Sequence, residues 1–223
     1  MSAPTTDNPQ PPFWPASDRL DDYLADSDVI DGHAVDIVSL VNRLTADGGS
    51  EVDRAQRLFG WVRDNIPHSC DVRHQTLTCR ASDVLRLRTG MCFAKSHLLV
   101  AMLRAIGIPA GFCYQWLRYN EQSADMILHG FCAVHLKSLG RWVRVDPRGN
   151  KPGVDAQFRL DREQLAFPTN PALGEAICPV IFAEPLPCVV NCLTTAASVD
   201  EALARLVAAG KPPEFCPNCC AKA

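Results

Sequence analysis

Arg88-Thr-Gly-Met-Cys-Phe-Ala-Lys-Ser-His-Leu-Leu-Val-Ala-Met-Leu-Arg-Ala-Ile-Gly-Ile-Pro109 is the stretch on which the reading of the chain turns. Leu98, Leu99, Met102, Leu103 and Ile106 recur at intervals of three and four, so residues 94–106 read as a helix with one apolar face. Gly107 suits the left-handed position that ends a helix, and Pro109 cannot continue one. Gly90 permits a sharp turn just ahead. Cys92 therefore falls at the amino end of a buried helix, beside unpaired backbone N–H groups and the positive end of the helix dipole. A thiol placed there gives up its proton readily and becomes a nucleophile. A small buried hydrophobe would satisfy the same position, so the flanking segments have to decide.

Upstream, residues 33–46 read as a helix, with Val35, Ile37, Val38, Val41 and Leu44 apolar and Gly48-Gly49 ending it. Ser50 caps a second helix, with Asp53 three residues on, and Pro67 stops it. Residues 68–80 hold His68, Cys70, His74 and Cys79 in an irregular polar loop. Their spacing fits no compact zinc site, and a loop bordering a cleft is the better reading. Residues 81–88 form a short helix that delivers the chain to Gly90.

Downstream the pattern changes to strands: 111–118, 129–136 and 141–147, the last two joined by a tight connection at 137–140. Helices followed by an antiparallel meander make the class α+β. If 137–140 is the loop, Leu136 faces Arg141, and paired residue numbers sum to 277. Asp146 then lies diagonal to His129 on one face, roughly 7–8 Å away and within reach of its imidazole. His135 pairs with Trp142 and lies about 13 Å farther along the strand. Cys92, His129 and Asp146 thus supply a thiol, a base and a carboxylate to orient that base.

Three segments resemble the transglutaminase-like superfamily, whose fold is related to papain-like peptidases. Gly90-Met-Cys92 with Leu103-Arg-Ala-Ile-Gly-Ile-Pro109 is similar to its cysteine helix, His129-Gly-Phe-Cys-Ala-Val134 to its histidine strand, and Trp142-Val-Arg-Val-Asp-Pro147 to its aspartate strand. The resemblance spans roughly residues 20–150 and includes Trp61-Val-Arg-Asp-Asn-Ile66. It implies Cys92, His129 and Asp146 as catalytic residues and a cysteine-bearing helix packed on an antiparallel sheet. It also implies amide processing through a thioester, by hydrolysis or by transfer to an amine; a non-catalytic binding module that keeps the fold is the alternative. Gly130, Phe131 and Ala133 depart from the family's usual alanine, tryptophan and acidic residue. The backbone N–H of Cys92 is a candidate oxyanion donor. No oxyanion side chain can be assigned, and no cofactor or metal is required for the chemistry. The expected substrate is a peptide, a protein or a small amide.

The bulk numbers are compatible with this reading. A chain of 223 residues that is 47% hydrophobic and 21% charged suits one medium globular unit. A net charge of −3 gives no reason to expect nucleic acid or an anionic membrane as partner. Eleven cysteines with no export signal point to a reducing, cytoplasmic setting rather than a disulfide framework. The expected division is a flexible lead-in at 1–17, a catalytic domain at 18–187 and a cysteine-rich helical appendage at 188–223. In that last part Ser198 caps a helix to Gly210. Cys188 with Cys192, and Cys216 with Cys219, flank this helix and could form a four-thiolate zinc site; the first spacing is atypical for zinc, so free or incidentally oxidised thiols are the default reading.

Overall fold

The structure is a computed structural model describing residues 13–120 and 123–209. In chain order it comprises β1 (Trp14–Pro15), α1 (Val35–Thr45), α2 (Glu51–Asn65), α3 (Ala81–Leu87), α4 (Cys92–Arg104), β2 (Ala110–Arg118), β3 (Asp125–Leu136), β4 (Arg141–Val145), β5 (Ala176–Ile177), β6 (Val180–Ile181), α5 (Pro187–Thr195), α6 (Val199–Leu206) and β7 (Val207–Ala209). The class is the α+β expected. An antiparallel sheet ordered β4-β3-β2-β5 carries the helices on one face, and β7 pairs with the far end of β3. Cys216, Cys219 and Cys220, with the lead-in up to residue 12, lie outside the described residues.

Helix ends follow their local chemistry. Ser50 and Asp53 form a reciprocal capping box at α2, with Asp53 N–H donating to Ser50 Oγ at 3.1 Å and Ser50 N–H to Asp53 Oδ2 at 2.9 Å. Gly107 takes the left-handed conformation (φ 73°) that releases the chain from α4 into β2. Helix α4 corrects the expectation of a single apolar face: all thirteen of its residues are buried. Its polar side chains are accommodated because each finds a backbone carbonyl. Lys95 Nζ donates to the carbonyls of Arg63 (3.2 Å) and Ile66, Ser96 Oγ to Cys92 O (2.9 Å), and a His97 ring nitrogen bonds Cys79 O (2.7 Å).

Strand pairing follows the rule derived above. Leu136↔Arg141, His135↔Trp142 and Cys132↔Val145 all sum to 277. The even-numbered residues of β3 face the helices, whereas Phe131 and Ala133 face a second cluster built on Tyr23, Cys113 and Ile181. Strand β3 begins at Asp125, earlier than the expected His129, and β4 stops at Val145, one residue short of Asp146.

The ends of the described chain differ more from expectation. Trp14–Pro15, read as lead-in, pairs in parallel with Val180–Ile181. Pro187 opens α5, a helix ahead of the Ser198-capped one that the sequence singles out; proline suits the first turn of a helix. Helix α6 is capped by Ser198 Oγ as expected, but it gives way at Val207 to β7 instead of running to Gly210.

Candidate active site

The amino end of α4 places Cys92 in a cleft of about 550 Å³. Across it stands His129, on a part of β3 that neither neighbour on that edge reaches: β4 pairing ends at Cys132 and β7 pairing at Ile127. His129 Nε2 bonds Asp146 Oδ2 at 2.8 Å, and the ring's other side-chain partner is Cys92. The structure thus brings together the three residues singled out from the sequence. His135 is elsewhere, edge-on to Trp142 with ring centroids 5.3 Å apart.

Asp146 is wholly buried and fully satisfied. Its Oδ1 accepts the Arg148 N–H at 3.0 Å, and its Oδ2 accepts the Ala166 N–H at 3.1 Å besides the imidazole. Burial alone would raise this carboxyl; the His129 charge and the three hydrogen bonds outweigh it and hold the group below its ordinary value. For His129 the balance is the mirror image. Burial would lower the ring, but the Asp146 carboxylate and the Cys92 sulfur raise it to about 10.

Two loops complete the site. Past Asn150, where the family resemblance fades, the chain folds back so that Phe167 stands edge-on to His129 (5.2 Å, 86°), its carbonyl held by Gln115 Nε2 at 3.0 Å. The loop of residues 66–80 runs beside the nucleophile, tied to it by a parallel bridge between His68 and Gly90. Its Asp71 takes a two-pronged bond from Arg148 and a third from Lys151. These cations outweigh burial and lower Asp71 to about 2. Arg148 therefore clamps the His68 loop to the Asp146 loop. This clamp was not visible beforehand, because its partners lie 77 and 80 residues apart in sequence.

One finding bears on the oxyanion site. The Cys92 backbone N–H, expected to be an open donor, donates to His68 Nε2 at 3.1 Å. The expectation that residues 68–80 border the cleft holds for His68, Cys70 and Asp71. Among the described residues no group of histidine, cysteine, aspartate or glutamate side chains is arranged to hold a metal. No helix among them is long and apolar enough to cross a membrane.

Residues 38–147, which contain the cysteine helix, the histidine strand and Asp146, match the model of the Transglutaminase-like superfamily. The chain carries a transglutaminase-like core. Solved structures similar to it include a candidate cysteine protease from Cytophaga hutchinsonii, 16% identical with a TM-score of 0.48 over 59% of this chain and 43% of that one. A candidate protease from Parabacteroides distasonis is 18% identical (TM-score 0.37, 56% of this chain and 25% of that one), and a TGase is 17% identical (0.36, 50% and 30%). The alignments take in less than half of each of those chains. A comparison with curated proteins finds no match.

Proposed function

We propose that this protein is a cysteine-dependent amide-processing enzyme whose catalytic residues are Cys92, His129 and Asp146. The observation that carries the reading is the buried relay of Asp146 Oδ2, the His129 ring and the Cys92 sulfur, with the carboxylate 2.8 Å from Nε2. The Cys92 thiolate attacks an amide carbonyl, forming the C–S bond while the carbonyl electron pair moves to oxygen. As the tetrahedral species collapses, the C–N bond breaks and the protonated His129 gives its proton to the leaving amine. Water then attacks the thioester, His129 takes its proton, and the thiolate returns. Asp146 keeps the ring oriented throughout, with its proton-bearing Nε2 toward the carboxylate.

The acyl donor is a peptide, a protein or a small amide, and water is the favoured acceptor; an amine taking its place would make the same site an acyltransferase. The cleft offers apolar walls at Leu117, Ile127, Leu128 and Phe167, with Arg148 and Lys151 beside them. Mixing the protein with p-nitrophenyl acetate should release one rapid equivalent of nitrophenolate and leave an acetyl group on Cys92 detectable by mass spectrometry. Cys92→Ala should abolish both. A burst that survives in that variant would contradict the assignment.

A further inference from the structure

Resting on the acyl-transfer reading above, we infer that His68 is the side-chain donor of the oxyanion hole. A tetrahedral oxyanion at this site needs hydrogen-bond donors aimed at one point close to the sulfur. The Cys92 N–H is one such donor by position, and among the described residues it donates to His68 Nε2, 3.1 Å away. An oxygen at the usual ~2.9 Å from both nitrogens closes a nearly equilateral triangle with them, so one atom can lie within hydrogen-bond distance of both once the His68 ring turns aside to let each N–H aim at it.

His68 must then present an N–H at Nε2, whereas its resting contact with the Cys92 N–H puts a lone pair there. The other buried histidines have a ring nitrogen committed: His129 to Asp146, His97 to the Cys79 carbonyl. His68 Nδ1 is buried with no hydrogen-bond partner among the described residues, so only the contact of Nε2 with the Cys92 N–H holds the ring proton at Nδ1. In the resting site Nε2 accepts from Cys92; an acyl oxygen that enters between them takes over that N–H, and with the contact gone no hydrogen bond at either ring nitrogen opposes the Nε2–H tautomer. Burial first, then the Arg148 charge, lowers the ring to about 3 and keeps it neutral, so a single proton is shared between the two nitrogens.

The backbone around His68 is held as a donor site requires. Ser69 N–H donates to Gly90 O at 3.1 Å, Ser69 Oγ bonds Thr89 Oγ1 at 3.1 Å, and Asp71 N–H closes a turn onto the His68 carbonyl at 2.9 Å. The backbone that carries the imidazole is thereby fixed relative to Thr89 and Gly90, just ahead of the nucleophile.

Pre-steady-state acylation by p-nitrophenyl acetate, run beside iodoacetamide alkylation of Cys92, tests the assignment. His68→Ala should lower the acylation rate about 100-fold or more, the usual loss for one oxyanion donor. Alkylation, which forms no oxyanion, should stay within about threefold. His68→Gln, whose amide can both accept from Cys92 N–H and donate to the acyl oxygen, should recover acylation to within about tenfold of wild type. Acylation by His68→Ala near the wild-type rate would overturn the role, as would a His68→Gln variant no faster than His68→Ala. A wild-type protein with no Cys92-dependent burst would overturn the acyl-transfer reading itself, and the role of His68 with it.

Discussion

His129 and Asp146 are both shut away from water, so each ionised group depends on the other. Asp146→Asn replaces an acceptor by an amide that also donates, which favours the wrong imidazole tautomer for the proposed chemistry. Acylation should fall about 10²- to 10⁴-fold in this variant; unchanged kinetics would remove Asp146 from the mechanism. The linkage has a definite sign. The folded His129 ring keeps its proton up to about pH 10, whereas an unfolded histidine loses it near 6.5. The pair's stabilisation is therefore complete below that lower value and is lost as pH rises through the upper one. Urea unfolding of wild type and Asp146→Asn should give a stability gap that narrows toward alkaline pH. A gap constant across the range would contradict the coupling. At this scale Cys92, His129 and Asp146 were legible because their neighbours carry local signals: a helix start, and a hairpin whose loop fixes parity. His68 was not, since its only distinguishing feature is a contact made across 24 residues of sequence.

Helix α4 and strand β3 meet where the family's alanine is replaced by Gly130. A Cβ added at that position would be driven into the Phe93 ring, whose Cε1 lies 2.9 Å from it. The phenylalanine after the nucleophile thus occupies the room that the missing methyl vacates. Gly130→Ala should cost about 1–3 kcal/mol by overpacking. Combining it with Phe93→Ala should cost less than the two changes summed, because the cavity left by one receives the methyl of the other. Additive losses in chemical denaturation would contradict this account of the departure. Hairpin register was readable from sequence because a loop and the two-residue period determine every pair along it. The complete burial of α4 was not. Ser96, His97 and Arg104 look like a solvent face, and Lys95 like an interruption of the apolar stripe, until the carbonyls that receive them are known, and most of those come from outside the helix. Helix α5 was missed for a related reason: Pro187 reads as a breaker unless it stands in the first turn.

Arg104, at the far end of α4 from Cys92, holds the molecule together at long range. Its guanidinium donates to the carbonyls of Ala25, Ala110 (2.9 Å to Nη2) and Ala183, joining the segment before α1, the start of β2 and the segment after β6. Arg104→Met would strip donors from three carbonyls, and urea unfolding should report a loss of about 3–5 kcal/mol. A loss under about 1 kcal/mol would show that water replaces the side chain there. Such ties join residues 79 apart, and nothing in local spacing announces them. The same holds for the Phe167 contact with His129 and the Arg148–Asp71 clamp, so the chain's central elements and the 68–80 border of the cleft could be read beforehand while the ties that close the site could not. The most direct test of the account is iodoacetamide labelling at about pH 5.5, where only a thiolate stabilised by its surroundings reacts fast. With sites identified by mass spectrometry, Cys92 should be modified well ahead of every other cysteine, and His129→Ala should abolish its lead. Cys92 reacting no faster than exposed Cys188, or keeping its lead without the imidazole, would contradict it.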